Sequence, residues 1–309
     1  MTTDYMVCET EEVIVETSEP DSNEFLFWRL DEDMESKIEA LRNWERKVTC
    51  RTLCSCYPAQ ALQVCELSIS TKEDRIIASS QAYIFGSFAI RDHYDRRRIN
   101  IFNRERTNPV RIDFSNGVGK VRITNPRRGI LYGNLAFDYD LNVIYTTLEG
   151  YKKEEKINGK ALYNGKKHPY SSRPETMRAS IPIKNDSNMK EINLKFIRFP
   201  QGIEAGINIE PPEGLNFRLT ARMGDLPNEI IVFDSKYDMP RGDAYHNSLK
   251  FVLVVPCLDI LELKYTEHNQ QPDEQPKICT FNSLYHGFIS EVIILKYGTI
   301  KMEIKWSRM

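Results

Sequence analysis

The sequence predicts an all-β protein: two related antiparallel β-sandwich-like modules preceded by one N-terminal helix. Three observations carry this. From Leu62 onward apolar residues alternate with polar ones in most runs, the period of a half-buried strand. The alternating runs recur at an offset of about 130 residues. Only one stretch, ahead of them all, keeps a helical spacing.

Residues 1–30 are acidic and poor in core-forming side chains, so a disordered tail is expected there. Within them Glu24–Leu30 (EFLFWRL) is short and apolar, a candidate docking segment. Residues 31–51 read as the helix. Met34, Ile38, Leu41, Trp44 and Val48 recur at three-to-four-residue spacing, and Asp31 or Asp33 caps the free N–H groups and favours the dipole. The helix is expected to pack on a sheet, with a partner-binding role as the alternative.

Residues 58–149 form the first predicted module, organised around Gln81–Phe102. Ile84, Gly86, Phe88 and Ile90 fall on one side of an alternating run. A basic connection, Arg91–Arg98, follows, and Ile99 and Ile101 restart the alternation, which predicts a β-hairpin. Residues 150–190 are rich in Lys, Gly, Ser, Asn and Pro and predict a linker or long surface loop. Residues 191–309 are the second module, closing on Ile300, Met302, Ile304 and Trp306. The repeat sets Leu62, Val64, Leu67 and Ile69 against Ile192, Leu194, Ile197 and Phe199. It sets Pro126, Ile130 and Leu131 against Pro256, Ile260 and Leu261, and Ile99–Phe102 against Ile230–Phe233 one residue out of step.

At 309 residues the chain is long enough for two domains or one large all-β domain, and its formal net charge of −2 makes no case for nucleic acid or a membrane surface. No run approaches the roughly 18 apolar residues of a membrane span. The start is acidic where a secretory signal is basic and then apolar, so a cytoplasmic or nuclear chain with reduced thiols is expected. The sequon at Asn185-Asp186-Ser187 is then a chance match.

Motifs in order from Leu62 to Ser307 resemble a plant family, expanded in grasses, known as domain of unknown function 6598. They are Phe85-Gly86, Arg91-Asp92, Asp95 with Arg97 and Arg98, Ile101-Phe102-Asn103-Arg104-Glu105-Arg106, and Asn125-Pro126-Arg127-Arg128 before Gly129-Ile130. In the second half Ile203-Glu204-Ala205, Glu229–Asp234, Lys301-Met302-Glu303 and Trp306-Ser307 continue the likeness. The chain departs from the family pattern at Lys152–Lys156 and lacks its Trp-Pro pair. The resemblance implies an all-β fold. Some family members are fused to ribosome-inactivating domains, which hints at stress or defence settings, and this chain lacks that fused domain.

The candidate chemistry is thin. A ribosome-inactivating glycosidase needs a Glu and an Arg about one helical turn apart beside stacking tyrosines, whereas Glu204 sits in the strand-like alternation Ile203–Ile209. Cys50, Cys54 and Cys56 lack the Cys-x-x-Cys pairs of a zinc site. Asp138 and Asp140, with Asp92 and Asp95, would suit calcium loops, but Arg96–Arg98 sit among them. The five histidines show no paired spacing, no Gly-x-Ser-x-Gly elbow or phosphate loop is present, and Arg241-Gly242-Asp243 reads as a turn. No cofactor is expected. A basic patch remains, Arg91, Arg96, Arg97, Arg98, Arg104 and Arg106, with Tyr94 and Phe102 between them. It could grip phosphates, serve as a charged sheet edge, or be covered by the acidic tail. The expected function is a non-enzymatic binding or protein-interaction module, with a protein partner ahead of nucleic acid. The alternative is an RNA N-glycosidase-like enzyme or other hydrolase, which a Glu and an Arg within reach of one aromatic face would favour.

Overall fold

The structure, a computed structural model, describes residues 13–14, 58–72, 77–93, 97–123, 128–165, 173–184, 187–211, 216–224, 226, 229–238, 249–268, 275–285, 287–295 and 298–307. The helix expected at 31–51 lies outside them, as does the stretch at 1–30 apart from β1 (Val13–Ile14), which is a strand where a disordered tail was expected. The described residues are nearly all β, with one helical turn, α1 (Ser235–Asp238). The chain divides into two compact units. Of the described residues, one holds those at 13–14, 62–123 and 130–198, the other those at 58–61, 128–129 and 199–307.

The first unit comprises β1, β2 (Ala59–Thr71) from Leu62 onward, β3 (Ile77–Asp92), β4 (Ile99–Arg104), β5 (Val110–Ser115), β6 (Val118–Val121), β7 (Ile130–Leu131), β8 (Asn134–Thr147), β9 (Lys152–Asn164) and β10 (Glu175–Pro182). It also takes the opening half of β11 (Met189–Glu210). The antiparallel pairing of β3 with β4, Ile90 opposite Ile99, is the hairpin that the alternation in Gln81–Phe102 predicts. β8 pairs with β3, and β9 with β8 from Asn134↔Asn164 to Thr146↔Lys152. This gives the order β4-β3-β8-β9. A second run has the order β6-β2-β11-β10. β5 and β6 are joined through Asn116 (φ 51°) and Gly117 (φ 73°), the double positive-φ pair that a two-residue hairpin needs. The buried aromatic side chains link both runs. Phe88 lies 6.1 Å from Phe137, Phe137 6.5 Å from Tyr163, and Tyr163 5.9 Å from Phe196, edge to face.

Residues 150–190 depart from expectation, because they hold β9 and β10 rather than a linker. Their backbone groups are satisfied by ladders, β9 against β8 and β10 against β11 over all eight of its residues.

The second unit takes the rest of β11, then β12 (Phe217–Met223), β13 (Ile230–Asp234), α1, β14 (Leu249–Pro256), β15 (Ile260–Glu267), β16 (Lys277–Asn282), β17 (Gly287–Leu295) and β18 (Gly298–Ser307). One sheet has the order β13-β12-β15-β16, and the other strands pair in the order β14-β11-β18-β17. Phe217 anchors the core, 5.0 Å from both Phe233 and Tyr265. Ile300, Met302, Ile304 and Trp306 are all buried, the inward half of the alternation at the chain's end.

Candidate functional site

The arginine-rich segment does not form an open basic patch among the described residues. Arg91, itself buried in β3, brings its Nη2 to 3.7 Å from Asp138 Oδ2, and Arg98 brings its Nε to 3.8 Å from the same oxygen. Arg98 Nη2 also donates to Ser87 Oγ at 2.6 Å. Arg106 reaches out of the β4–β5 turn, donates to Glu154 Oε2 at 2.8 Å and lies 5.5 Å from the centre of the Phe85 ring. Arg97 and Arg104 are half-buried, and Arg96 lies outside the described residues. Arg111 pairs with Asp113 at 3.0 Å. A segment basic in sequence thus becomes a face of alternating charge, because β8 and β9 bring Asp138, Asp140 and Glu154 alongside it. The exposed pairs among them, Arg106 with Glu154 and Arg111 with Asp113, contribute about 0.2–1 kcal/mol each, and salt screens them.

The same pairing accounts for the candidate calcium ligands. Asp138 is engaged by two guanidiniums, and Asp140 meets Lys156 Nζ at 3.2 Å. Asp92 is fully buried and accepts from the Leu131 amide at 3.1 Å. Among the described residues no three His, Cys, Asp or Glu side chains stand close enough to hold a metal ion.

Two polar clusters escaped the sequence reading. In the second unit the fully buried Asp234 accepts from Arg218 Nε and pairs with His268 Nε2, both at 2.7 Å, and takes the Lys236 amide at 3.1 Å. Burial pushes its carboxyl up, but the hydrogen bonds from Arg218 and His268 outweigh that and hold it below its ordinary value. The neighbouring Ser235 Oγ accepts from the Phe217 amide at 3.0 Å, so the serine fastens α1 to β12 rather than presenting a nucleophile. No spacing signal could have found this group, since Asp234 and His268 stand 34 positions apart.

In the first unit Arg198 and Glu175 form a buried ion pair at 2.6 Å, and the Arg198 guanidinium lies 4.8 Å from the centre of the Tyr132 ring. A Glu, an Arg and an aromatic face do come together here. Arg198 is 2 % exposed, however, its charge is matched by Glu175, and its guanidinium covers the ring on which a base would stack. Glu204, the other carboxylate considered, is buried in β11 and accepts from the Gly129 amide at 2.7 Å.

Two surface features of the second unit stand out. A concavity of about 150 Å³ is lined by Thr220, Arg222, Glu229, Glu262, Lys264 and Ile278. Its charges are cross-strand pairs, Arg222 with Glu262 at 2.5 Å and Lys264 with Glu229 at 3.0 Å. The second feature is apolar. Phe288 (73 % exposed), Val292 (55 %) and Ile294 (75 %) share one face of β17, which pairs only with β18 among the described residues. No helix among the described residues is long and apolar enough to cross a membrane.

Comparison with solved structures returns weak likenesses. Human GIVD cytosolic phospholipase A2 shares 7 % identity over 82 % of this chain, with a TM-score of 0.24, and the chain spans 33 % of that protein's length. The paired C2 domains of Extended-Synaptotagmin 2 share 11 % identity over 84 % of this chain and 95 % of theirs, with a TM-score of 0.21. At such scores neither carries an argument about fold or function. No curated protein matches the sequence. The family comparison is of another kind, since it covers residues 61–305, almost everything from β2 to the end of β18. The chain belongs to the family described as Domain of unknown function (DUF6598).

Proposed function

We propose that the chain is a non-enzymatic protein-interaction module built of two related β-sandwich-like units, with a protein rather than a nucleic acid as its partner. The observation that carries this reading is the apolar face of β17. Phe288, Val292 and Ile294 are exposed on a strand that pairs only with β18 among the described residues, and a partner that covers them gains about 25 cal/mol per Å² of apolar surface removed. The polar groups support the same reading. Asp234, Glu175 and Glu204 are each held by donors of the fold, and the arginines at 91, 98 and 106 meet carboxylates of their own sheet. The matching strand orders of the two units support their relatedness.

A photo-crosslinking residue placed at Val292 in the native cell type tests the reading, with Lys264 on the opposite sheet as the control position. Adducts with another protein are expected at position 292, lost when Phe288→Lys is added. An absence of adducts at 292, or equal labelling at 264, would overturn it.

A further inference from the structure

Leu258, in the turn between β14 and β15, has a φ of 57° and is 66 % exposed. Left-handed backbone suits glycine and asparagine and is costly for leucine. Asn116, the other non-glycine residue with positive φ among those described, sits in a two-residue hairpin that favours it. A leucine at 258 strains the turn and buries little of itself within the fold.

The turn is nonetheless fixed. The buried Ser283 donates from Oγ to the Pro256 carbonyl at 2.6 Å and from its amide to the Asp259 carbonyl at 2.8 Å, while its Oγ accepts from the Asp259 amide at 2.9 Å. The Cys257 amide donates to the Gln201 carbonyl at 2.8 Å and the Ile260 amide to Asp259 Oδ1 at 2.7 Å. The Leu258 amide and the Tyr285 hydroxyl donate to Cys257 Sγ. Pro256 has no N–H. Every amide from 256 to 260 thus has an acceptor within the unit, and the turn can leave water without orphaning a donor.

Other apolar side chains gather at the same end. Ile260 opens β15, and β16, which pairs with it at Ile260↔Asn282, runs on into Leu284 and Tyr285; all three are exposed. Exposed apolar residues scattered singly are ordinary, whereas a cluster marks a contact surface. Charge narrows the occupant. Asp259 is the only acidic or basic residue in 253–260 and 280–285, and its carboxylate is turned onto the Ile260 amide and lies against Gly224. In a twofold contact, side chains near the axis meet their own copies, so an exposed charge there faces its like. This end is spared that repulsion, and it offers no cation to an anionic lipid surface.

We propose that the Leu258 end of the second unit is the contact of a twofold dimer of this chain, each copy's Leu258 packing on the apolar cluster of the other. The contact does not use β17, so this proposal and the β17 reading can fail separately.

Sedimentation velocity of the full-length chain over a concentration series tests it. Monomer should pass to dimer with a dissociation constant of about 10–100 μM, as suits a contact smaller than a standard interface. Leu258→Asn, which tolerates left-handed backbone, should keep or raise the urea midpoint yet weaken the dimer at least about tenfold. Leu284→Gln should weaken it too. The Val292→Lys, Ile294→Lys variant should dimerise like the wild type. A chain monomeric throughout the series, or a dimer indifferent to Leu258→Asn, would overturn the proposal. So would a dimer dissociated by the β17 changes, or a lowered urea midpoint in Leu258→Asn, which would give the leucine to the fold. A monomer crosslinked through position 258 to a different protein in the native cell type would assign the end to another occupant and overturn it as well.

Discussion

Glu155 occupies a position that strand alternation reserves for an apolar side chain. It is 6 % exposed, and its carboxylate accepts from Tyr145 Oη at 2.7 Å, Ser187 Oγ at 2.5 Å and the Asn188 amide at 2.9 Å, with Lys153 Nζ at 2.6 Å. One carboxylate thereby ties β9 to the turn between β10 and β11. Removing it would leave the buried hydroxyls of Tyr145 and Ser187 without this acceptor. Glu155→Ala should therefore lower unfolding stability by about 3 kcal/mol. Glu155→Gln should recover only part, because its amide keeps one acceptor oxygen and aims N–H groups at other donors. Urea unfolding at neutral pH measures both. Residues of this kind explain why the candidate site was only partly legible. The arginines could be read from sequence, but their partners Asp138 and Glu154 arrive from other strands, and local charge counting therefore gave a patch where the fold makes pairs.

At the scale of elements, the legible strands are those whose inward positions are all apolar, such as β18 with Ile300, Met302, Ile304 and Trp306. β9 was not legible, for a physical reason. Its inward positions run Glu155, Ile157, Gly159, Ala161 and Tyr163, so a carboxylate and a glycine interrupt the pattern. The glycine is there because a Cβ at Gly159 would run into the Tyr139 ring and hydroxyl. Gly86 in β3 is the sharper case. Its φ is +108°, and a Cβ there would overlap the carbonyl oxygen of Asp140 on the neighbouring β8. Backbone strain and a steric clash with main chain act together at this position. Gly86→Ala should cost about 3 kcal/mol or more, read as a lowered urea midpoint or as loss of soluble protein. Gly150→Ala is the control. It has a positive φ of 86° but nothing within 4 Å of the added Cβ, so it should cost clearly less.

On the whole-molecule scale the strand orders β4-β3-β8-β9 and β13-β12-β15-β16 coincide, as do β6-β2-β11-β10 and β14-β11-β18-β17. The sequence sets Leu62–Ile69 against Ile192–Phe199, but Glu191–Arg198 is the stretch of β11 that pairs with β10, and it is Gly202–Glu210 that pairs with β14 and β18. A 22-residue strand that serves both units cannot be divided by apolar spacing alone. Both units also share a dependence on ionised carboxylates. For Glu155, burial pushes the carboxyl up, but hydrogen bonds from Lys153, Ser187 and Tyr145 bring it below its ordinary value. Glu191 behaves alike, its burial outweighed by Ser180, Asn193 and Lys190. In the second unit Asp234 is held low by Arg218 and His268 against its burial, and Glu229 chiefly by its hydrogen bond from Lys264. A carboxyl with a lowered pKa in the folded state stabilises the fold above its unfolded pKa. That contribution is lost as pH falls through the folded value. The window lies below the ordinary values of 4.5 for Glu and 3.8 for Asp. Stability should therefore be level from pH 7 to about 5 and then fall, with a slope approaching about 1.4 kcal/mol per pH unit for each proton taken up on unfolding. Urea midpoints measured at pH 7, 5, 4 and 3 would show it. Glu155→Gln and Asp234→Asn should each start from lower stability and lose less of it in acid, because the group that titrates is gone. A variant that keeps the full acid slope would show that its carboxylate is not a source of it.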